Sequence, residues 1–529
     1  MSVTEQPVAS ANELQDGQMK QVTVGETSIL LCKVEGDYYA LGAKCTHYGA
    51  PLADGVLHGT QVFCPWHQAG FDVTNGDNNQ PPAYDALPTF PVHEKDGKII
   101  VKVPDDAPGR RTMNMSHFNV QSDTRDFVIL GAGAAGEAAA ETLRQQGFEG
   151  HIFLITKESQ TPYDRPNLSK EYLSGDAPEE WMPLRGEEFY KKYDIDLTRN
   201  RLVREIDIKK QVISFGDSAT QHYDELLVAT GGIARTLNVP GKDLDNVFTL
   251  RSFDDADRII EKVGKGKKAV IIGASFIGLE TATSLRKREL DVHVVAPENV
   301  PYQRVFGEEI GNWIRKKHED NGIRFSLGTS VTKLKGDDGT VTGVTLSNGK
   351  TLDADIVLVG IGVRPNTDFI KGLSLHNDGG IKVDRYLMAA DHIYAAGDIA
   401  WFPYWRNDQP VRIEHWRLAQ QHGRIAAHNM LGKQVPYKSI PFFWTSQSNA
   451  TLNYLGYAKD WDDLIIDGNI KNDDFMAYYV KNNEIAAVVT PNREKQLAAI
   501  HHLMILDRMP GSAKVRDHAF DPIEALKEA

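Results

Sequence analysis

The stretch from Asp126 to Gly136, DFVILGAGAAG, constrains the fold of this chain more than any other stretch. Its apolar start, Phe127–Leu130, has the pattern of a buried parallel strand, and glycines follow at once. Glycines at this spacing allow a tight turn, a close approach of the backbone to a pyrophosphate, and close packing of the next helix on the strand. The free N–H groups and the positive dipole end of that helix favour bound phosphate. The stretch therefore predicts a strand–turn–helix unit that binds a dinucleotide at Gly131, Gly133, Ala135 and Gly136.

An acidic residue is expected about 20 residues beyond such a loop, where it binds the ribose hydroxyls. Glu158 stands there, just after the apolar run Ile152–Ile155, and a helical pattern that ends at Gly147 precedes this run. A strand–turn–helix without a ligand is the alternative interpretation of the glycines. The strand, the helix, its end and the acid together favour the dinucleotide site.

A second glycine-rich loop follows the apolar run Lys268–Ile272. It contains Gly273, Ser275 and Gly278, so a serine stands where the middle glycine is expected. This side chain leaves less room for a pyrophosphate, and a purely structural loop is therefore a stronger alternative than at the first site. We nevertheless expect a nicotinamide-dinucleotide site, because strand, turn and helix recur in the same order.

The acid of the second site is Glu298 when the two repeats are aligned, because Val292–Val295 then matches Ile152–Ile155. At this place Glu298 would bind the ribose hydroxyls, and a role in a surface loop is the alternative. No arginine stands where a 2′-phosphate would be held. We therefore expect NADH as the coenzyme and do not exclude NADPH.

Two short loops near the N-terminus carry cysteine and histidine side chains. The first contains Cys45 and His47, the second contains Cys64 and His67, and 16 residues separate the loops. Two thiolates can hold one iron and two imidazoles the other, which is the ligation of a Rieske [2Fe–2S] centre. A tetrahedral zinc site is the alternative for these ligand types, although zinc fingers favour other spacings. The flanking residues favour iron, because CTHYGAPLADG and FCPWHQAGFDV resemble the two cluster loops of Rieske ferredoxins.

Three further segments complete a known pattern. They are TPYDRPNLSKEYL at 161–173, the run 225–229 that leads into Thr-Gly-Gly, and the run 393–398 that ends in Gly-Asp. Together with the glycine-rich loops they resemble the FAD-dependent, NAD(P)H-oxidising ferredoxin reductases of bacterial oxygenase systems and the apoptosis-inducing-factor-like flavoproteins. The chain is most similar to the branch of the latter that carries an N-terminal Rieske domain. The disulfide reductases of the same pyridine nucleotide-disulfide oxidoreductase family relay electrons through two cysteines after the first loop, and residues 131–180 contain none.

The resemblance implies roles for particular side chains. It implies catalytic roles for Lys170 beside the isoalloxazine, Glu280 at the nicotinamide–flavin junction, and His415 at the start of a helix that points at the flavin pyrimidine. A helix-start hydrogen bond without a redox role is the alternative for His415. The other implied cofactor contacts are Arg165 near the isoalloxazine, Thr230, Gly231 and Arg235 on FAD, Gly362 beneath the nicotinamide, Asp398 at the ribityl–phosphate part, Glu414 at the pyrimidine and Trp444 beside the flavin ring.

The predicted fold is multi-domain. An all-β Rieske domain is followed by α/β doubly wound FAD- and NAD-binding domains of the Rossmann type and by a small α+β C-terminal domain. The expected boundaries are 1–105 for the Rieske domain, 106–124 for a linker, 125–250 with 386–432 for the FAD-binding domain, 251–385 for the NAD(P)H-binding domain and 433–529 for the C-terminal domain. The linker lacks periodicity, so we expect an exposed, flexible tether and a removable Rieske domain.

The composition of the chain limits its possible binding partners and its cellular compartment. The net charge of -13 argues against nucleic acid as a partner. No apolar run approaches the ~20 residues of a membrane helix, and residues 1–20 lack the apolar core expected of a signal peptide. Three cysteines are too few for a disulfide framework, which indicates the cytoplasm. Cys32, outside the Cys/His loops, lies in an apolar run and is expected to be buried.

The sequence thus predicts an FAD-dependent NAD(P)H oxidoreductase in which electrons leave FAD singly through the Rieske cluster. The acceptor is unknown, and a redox protein is one candidate. Direct reduction of an outside acceptor by the flavin is one alternative. A redox-sensing binding protein, whose NADH-bound state alters its partners, is another. A homodimer is allowed, and so is electron transfer either within one chain or between two.

Overall fold

The computed structural model describes residues 2–529, which form two compact units. The first unit comprises residues 2–115, 438–444 and 453–529, and the second comprises residues 116–437 and 445–452. Both Cys/His loops lie in the first unit, and both glycine-rich loops lie in the second.

The N-terminal part of the first unit is built from short strands. In chain order they are β1 (Val3–Ser10), β2 (Gln18–Val24), β3 (Thr27–Val34), β4 (Asp37–Gly42), β5 (Val56–His58), β6 (Gln61–Phe63), β7 (Gly70–Asp72), β8 (Asn78–Gln80), β9 (Thr89–Phe90), β10 (Val92–Lys95) and β11 (Lys98–Pro104). The sheets have the orders β2–β3–β4–β9, β5–β6–β7–β8 and β1–β11–β10. Apolar side chains of these strands form a core that includes Cys32, Cys45 and Cys64. The predicted all-β N-terminal domain is confirmed.

The second unit begins with a doubly wound α/β domain. Its first elements are β12 (Asp126–Leu130), α1 (Ala134–Gln145), β13 (His151–Ile155), α2 (Glu171–Ser174), α3 (Glu187–Lys192), β14 (Ile195–Thr198), β15 (Val203–Asp207), β16 (Val212–Phe215), β17 (Thr220–His222) and β18 (Glu225–Val228). The four apolar residues of β12 are fully buried, as expected for a strand covered on both faces.

The chain then forms a second α/β domain of the same plan. Its elements are β19 (Gly232–Ala234), β20 (Val247–Thr249), α4 (Phe253–Ile260), β21 (Lys268–Ile272), α5 (Phe276–Lys287), β22 (Asp291–Val295), α6 (Gln303–Asp320), β23 (Arg324–Ser326), β24 (Val331–Asp337), β25 (Thr340–Leu346), β26 (Thr351–Asp353) and β27 (Ile356–Val359). The chain returns to the first domain with β28 (Val363–Pro365), β29 (Ile381–Lys382), β30 (Met388–Ala390), β31 (Ile393–Ala395), β32 (Ala400–Tyr404), β33 (Gln409–Val411) and α7 (Trp416–Met430).

Both glycine-rich loops leave a central strand of a parallel sheet. The first sheet has the order β14–β13–β12–β18–β31–β30, in which only β30 is antiparallel to its neighbour. The second has the order β20–β27–β21–β22–β23 and is entirely parallel. In each sheet the strand order reverses at the strand that carries the loop, β12 or β21. A crevice for a nucleotide forms at such a point, beyond the carboxyl ends of the strands.

The C-terminal region is a sheet with helices, as predicted. It contains β34 (Phe442–Gln447), β35 (Ala450–Gly456), β36 (Asp463–Asn469), β37 (Asp474–Lys481), β38 (Glu484–Thr490), α8 (Glu494–Ile505), α9 (Ser512–Arg516) and α10 (Pro522–Lys527). The strand order is β34–β35–β38–β37–β36, with β37 and β38 forming an antiparallel hairpin. Nowhere in residues 2–529 is a helix both long and apolar enough to cross a membrane.

The segment 106–124 has no helix or strand, yet it is not a free tether. The hydroxyl of Ser116 lies 3.0 Å from the carbonyl oxygen of Arg144 and 2.8 Å from that of Phe148. These carbonyl oxygens lie at and just beyond the end of α1, where the first also accepts from the N–H of Gly147 and the second from the guanidinium of Arg144. The hydrogen bonds of Ser116 argue against a flexible tether, because they hold this part of the segment against the end of α1.

The Rieske strands also share a core with the C-terminal helices of the first unit. Val56 of β5 packs in one apolar cluster with Ala498, Leu503 and Leu526 of α8 and α10. Removal of the strands would expose these side chains to water at ~25 cal/mol per Å² of apolar surface. This shared core argues against a Rieske domain that can be removed independently of the C-terminal helices.

Candidate functional site

The two Cys/His loops share one backbone plan. In the first, the N–H of Cys45 donates to the carbonyl oxygen of Ala50 at 2.9 Å, and in the second, the N–H of Cys64 donates to that of Ala69 at the same distance. Both cysteines are buried, with 3% and 1% of their surface exposed. Two turns of similar closure therefore hold the ligand side chains of the first unit.

The four side chains gather in pairs. The Nδ1 atoms of His47 and His67 are 3.1 Å apart, a separation that lets both nitrogens bind one metal at about 2 Å. Cys45 and Cys64 lie within hydrogen-bonding reach of each other. No three His, Cys, Asp or Glu side chains converge on a single ion within residues 2–529, so the tetrahedral arrangement that zinc requires is not formed. An imidazole pair and a thiol pair fit the two irons of a Rieske [2Fe–2S] cluster.

The pKa shifts of His47 and Cys64 suit metal ligands, whereas the hydrogen bond to Cys64 and burial raise the pKa of Cys45. Burial lowers the pKa of His47 to about 3, so the ring is neutral at pH 7 and keeps a lone pair for a metal. Burial opposes ionisation of Cys64, but hydrogen bonds from Cys45 and from two backbone N–H groups outweigh it and lower the pKa of Cys64. Burial raises the pKa of Cys32 to about 12, so the third cysteine stays a neutral thiol.

Trp444 lies over the histidines of the first unit. Its ring centroid is 4.1 Å from that of His67 and 6.1 Å from that of His47. Tyr48 stacks on His47 with ring centroids 3.9 Å apart. The resemblance implied a place for Trp444 beside the flavin ring, and the neighbours that the structure shows are these imidazoles. These ring contacts help to fix the orientation of the imidazoles.

The first glycine-rich loop is shaped for a pyrophosphate. Gly131 has a left-handed φ of 104°, and a Cβ at Gly136 would lie 1.8 Å from the carbonyl oxygen of Gly131, so the fold itself requires both glycines. A Cβ at Gly133 would meet no other atom of residues 2–529 within 4 Å. Gly133 is also the N-cap of α1, and no side chain in the described chain caps that helix. Open space before free helix N–H groups fits the pyrophosphate of FAD.

The acid after this loop has fixed oxygens. Glu158 accepts hydrogen bonds from the hydroxyl of Tyr163 at 2.6 Å and from the guanidinium of Arg165 at 3.0 Å. The sequence groups Arg165 with Lys170, whereas the structure places its guanidinium on Glu158. An oriented carboxylate beyond β13 is suited to ribose hydroxyls.

Helices α1 and α7 meet where Ala135 faces Gly423. A Cβ at Gly423 would lie 2.0 Å from the carbonyl oxygen of Ala135, so only glycine fits there. Ala135 therefore sets the packing of α1 on α7, while the free N–H groups of α1 remain at the loop.

A charged cluster lies around Asp398, after β31. Asp398 pairs with Arg251 at 2.8 Å, and Arg412 bonds to the backbone oxygen of Asp398 at 2.8 Å and to Glu414 at 2.6 Å. Burial, followed by the charge of Asp398, raises the pKa of Glu414. His415 is the N-cap residue of α7, and burial lowers its pKa to about 4, so the imidazole is neutral. A neutral ring at a helix N-terminus leaves the positive end of the helix dipole as the local field.

The segment after β18 is hydrogen-bonded to the residues that flank β28. The hydroxyl of Thr230 donates to the carbonyl oxygen of Asn366 at 2.7 Å, and the N–H of Asn366 donates to that of Gly231 at 2.9 Å. The N–H of Arg235 donates to the carbonyl oxygen of Gly362 at 2.9 Å. Four predicted contact residues thus lie along one pair of segments.

The second glycine-rich loop repeats the first with one difference. A Cβ at Gly278 would lie 2.1 Å from the carbonyl oxygen of Gly273, which matches the close approach in the first loop. The hydroxyl of Ser275 donates to the carbonyl oxygen of Gly360 at 2.6 Å and accepts from the N–H of Gly278 at 3.4 Å. The serine is therefore the N-cap of α5 and joins the loop to the neighbouring strand.

The acid of the second site has an arginine beside it. Glu298 lies 3.7 Å from the guanidinium of Arg304, whose side chain is 86% exposed. The expectation that no arginine lies at this position is wrong, because the first turn of α6 returns Arg304 to the acid. A freely moving guanidinium there is able to meet a 2′-phosphate.

Lys170 and Glu280 form a buried ion pair. Their charged atoms are 2.9 Å apart, and the two side chains are only 10% and 4% exposed. The hydroxyls of Ser169 and Thr445 each donate to Glu280 at 2.6 Å, which compensates for the burial of its charge. Lys170 also donates to the carbonyl oxygen of Pro166 at 3.0 Å. Within residues 2–529 the third N–H of this ammonium has no acceptor, so it is available to a ligand.

Three residues of these clusters were not predicted from the sequence: Arg251, Thr445 and Gln447. Arg251 meets Asp398 across 147 residues of chain, and Thr445 meets Glu280 across 165. No local motif marks such contacts. One available signal is the polar Thr-Ser-Gln that follows the aromatic run 442–444 in a buried strand.

Three family comparisons match separate parts of the chain. Residues 125–423 match the pyridine nucleotide-disulphide oxidoreductase family, residues 4–91 match the Rieske [2Fe-2S] domain, and residues 442–526 match the reductase C-terminal domain.

Named relatives agree with these matches. The chain is 37% identical to apoptosis-inducing factor 3 of Homo sapiens, over 95% of this chain and 84% of that protein. It is 33% identical to the rhodocoxin reductase of Rhodococcus erythropolis, over 75% of this chain and 93% of that one. It is also 33% identical to a rubredoxin-NAD(+) reductase of Pseudomonas putida, over 71% and 97%.

Solved structures show the same fold. A ferredoxin reductase from Rhodopseudomonas palustris superimposes with a TM-score of 0.73 at 32% identity, over 76% of this chain and 100% of that one. The covalent putidaredoxin reductase–putidaredoxin complex contains a chain with a TM-score of 0.73 at 30% identity, over 77% and 99%. The predicted fold class and the predicted resemblance are both confirmed.

Proposed function

The chain belongs to the pyridine nucleotide-disulphide oxidoreductase family as an FAD-dependent NAD(P)H oxidoreductase with a Rieske domain, and we propose that its acceptor is a one-electron redox protein. The overall reaction converts NAD(P)H and two oxidised acceptors into NAD(P)⁺, one proton and two reduced acceptors. FAD, when bound, supplies the conversion of a hydride into single electrons, and the [2Fe–2S] cluster supplies one-electron carriage.

One observation carries the proposal: a single chain contains two dinucleotide folds and a separate pair of imidazoles with a pair of thiols. Hydride chemistry needs the first feature, and one-electron chemistry with a protein partner is served by the second. The names of relatives support the class of acceptor, because rubredoxin and putidaredoxin are both redox proteins.

The residues of the second unit have distinct tasks in this proposal. The free N–H groups of α1 hold the pyrophosphate of FAD, and Glu158 holds its ribose. Lys170 donates its third N–H toward the flavin, while Glu280 keeps that ammonium in place. The neutral His415 and the N-terminus of α7 lie at the pyrimidine, where the helix dipole stabilises negative charge.

The choice of coenzyme rests on the loop after β22. Glu298 favours NADH, because a carboxylate binds two ribose hydroxyls and repels a 2′-phosphate. Its nearness to the exposed guanidinium of Arg304 lowers that barrier. We therefore propose NADH as the preferred coenzyme with measurable use of NADPH, and expect Arg304→Ala to raise the ratio of kcat/KM for NADH over NADPH. An unchanged ratio would remove Arg304 from coenzyme selection.

The cellular location belongs to the proposal as well. The three cysteines, Cys32, Cys45 and Cys64, are all free of disulfides. Thiols of this kind persist in a reducing compartment, which supports a cytoplasmic location.

The experiment is an anaerobic titration of the full-length protein with NADH, followed by assays with two acceptors. Ferricyanide takes electrons directly from a flavin, whereas cytochrome c serves as a one-electron protein acceptor. Cys45→Ser should remove iron and most cytochrome c reduction, while NADH still bleaches the flavin and ferricyanide is still reduced.

The matched control is Cys32→Ala, which changes a buried cysteine of the same core that is outside the ligand loops. It should retain iron and both activities. Undiminished cytochrome c reduction by iron-free Cys45→Ser would contradict the route through the cluster. A wild-type flavin that NADH does not reduce would contradict the enzyme itself.

A further inference from the structure

Glu280 is one end of a chain of buried hydrogen bonds in the second unit. The hydroxyl of Thr445 meets Glu280 at 2.6 Å, and the side-chain amide of Gln447 meets Thr445 at 2.7 Å. The chain continues to His318, whose Nε2 is 2.8 Å from the amide oxygen of Gln447. It ends at Ser448, 3.1 Å from Nδ1 of the same histidine. Glu280, Thr445, Gln447 and His318 are all buried, with at most 4% of each residue exposed.

The carboxylate at one end sets the direction of every bond. An ionised Glu280 only accepts, so Thr445 must donate to it and must accept from the N–H of Gln447. The amide oxygen of Gln447 then faces His318, which must donate from Nε2. Burial lowers the pKa of His318 to about 4, so this neutral ring keeps Nδ1 as an acceptor for the hydroxyl of Ser448. All donors therefore point toward Glu280, as a satisfied network requires.

A side branch reaches the nicotinamide loop. The second N–H of Gln447 is 2.7 Å from the hydroxyl of Tyr302, which donates to the carbonyl oxygen of Ser275 at 3.3 Å. Gln447 thus donates one hydrogen bond to Thr445, the partner of Glu280, and one to Tyr302, which is bonded to the loop that carries Ser275. Both amide donors and the amide oxygen are used, so its rotamer is fixed.

We propose that Thr445, anchored by Gln447, is a positioning residue for hydride transfer that holds Glu280 and, through it, the ammonium of Lys170. This inference rests on the proposed function and adds a residue set to it. Glu280 has two hydroxyl donors, and of these only Thr445 accepts from Gln447, which also donates to Tyr302 beside Ser275. Without its hydroxyl, Oε1 of Glu280 is a buried charged acceptor without its donor, and the carboxylate moves or recruits Lys170 away from the ligand. Hydride transfer is sensitive to displacements of this kind, because reacting atoms must approach within about 3–3.5 Å.

The test compares two variants of the holoenzyme by stopped-flow reduction with NADH. Thr445→Val keeps the shape and removes the hydroxyl, whereas Thr445→Ser keeps the hydroxyl. We expect Thr445→Val to lower the limiting rate of flavin reduction about tenfold, with the dissociation constant for NADH changed by less than about twofold. Thr445→Ser should stay within about threefold of the wild-type rate.

The control is Ser446→Ala, on the same strand. Successive side chains of a strand point to opposite faces, so this change leaves the Glu280 face intact. Equal losses in Thr445→Val and Thr445→Ser would indicate a packing effect and overturn the proposal. A Thr445→Val rate equal to that of wild type would overturn it too.

A second measurement does not depend on NADH. Acetic anhydride modifies free amines, and mass spectrometry compares Lys170 with Lys191, which is 66% exposed. If Thr445 holds the Lys170–Glu280 pair, Thr445→Val should raise the relative labelling of Lys170 several-fold, and Thr445→Ser should not. Unchanged labelling would refute the positioning role. A wild-type protein that NADH fails to reduce would instead refute the proposed function and leave the labelling result decisive for the pair.

Discussion

Replacement of Glu137 by glutamine tests how a buried carboxyl group of α1 affects the free energy of unfolding. Glu137 lies in the first turn of α1 and is fully buried. Neither of its carboxylate oxygens has a hydrogen-bond partner in normal geometry among residues 2–529. One turn later, Glu141 pairs with Arg185 at 2.7 Å. Two carboxyl groups thus share a buried site with one guanidinium.

The carboxyl group of Glu137 therefore binds a proton more strongly in the folded protein than in the unfolded chain. Burial, followed by the charge of Glu141, raises the pKa of Glu137 to about 8, and Arg185 and Tyr190 offset only part of this effect. Because the folded pKa exceeds the unfolded value of 4.5, the stabilisation is complete below that value and is lost as the pH rises to about 8. At pH 7, about 2.5 pH units above the unfolded pKa, the loss is about 3 kcal/mol.

Glu137→Gln removes the titration and keeps the shape. The free energy of unfolding of the variant should depend less on pH than that of wild type between pH 5 and pH 8.5. Relative to wild type, the variant should gain about 3 kcal/mol between pH 5 and pH 8, a shift of several degrees in Tm. The buried amide costs about 1–3 kcal/mol at every pH when its N–H groups lack acceptors. The change with pH is therefore the diagnostic quantity, and absolute stability is not.

The assay is thermal unfolding of FAD-loaded protein, followed by circular dichroism and by flavin fluorescence at each pH. Glu188→Gln on α3 is the control, because that side chain is 85% exposed and should reproduce the wild-type curve. A constant difference in Tm between wild type and Glu137→Gln from pH 5 to pH 8.5 would show that Glu137 does not hold a proton in the folded state.

Two further predictions concern the FAD site. Gly136→Ala puts a methyl group 1.8 Å from the carbonyl oxygen of Gly131 and should prevent folding, whereas Gly133→Ala has room and should fold with flavin bound at least about tenfold more weakly. Circular dichroism and flavin content separate these outcomes, and a flavin-saturated Gly133→Ala protein would contradict the proposed pyrophosphate site. Arg251→Leu leaves Asp398 without its ion-pair partner and should weaken FAD binding about tenfold in fluorescence titrations of the apoprotein. An unchanged affinity would mean that this pair is structural only.

Local motifs explain why much of the fold follows from the sequence. Gly131 and Gly136 are required by contacts within their own strand–turn–helix unit, so the requirement is visible in a stretch of 11 residues. The Cys/His loops are similar, because each cysteine N–H bonds within six residues of its own loop. Whenever a short segment determines its own backbone, the pattern of residues predicts the structure reliably.

Contacts between distant segments follow another rule. Arg251 and Thr445 stand in unremarkable local sequence, and only the folded chain brings them to Asp398 and Glu280. For the segment 106–124 the sequence predicts too little structure, since its polar, aperiodic residues suggest a tether. Its bonds to the carbonyl oxygens of Arg144 and Phe148 form only when the folded chain brings Ser116 to the end of α1. Which distant residues meet depends on tertiary packing, so the periodicity and composition of the sequence do not predict such contacts.

The two glycine-rich loops differ at one residue, and the difference suits two kinds of ligand. The first loop leaves the N–H groups of α1 free and keeps open space at Gly133. In the second loop the hydroxyl of Ser275 already occupies the N–H of Gly278 and bonds to Gly360. Each donor that the protein satisfies internally is one fewer for a pyrophosphate, so the second helix offers weaker binding. FAD must stay bound through many turnovers, whereas a nicotinamide coenzyme must leave after each one, and tight binding of a substrate gains no rate once the site is saturated. The serine that weakens the sequence motif is therefore consistent with a site for an exchanging coenzyme.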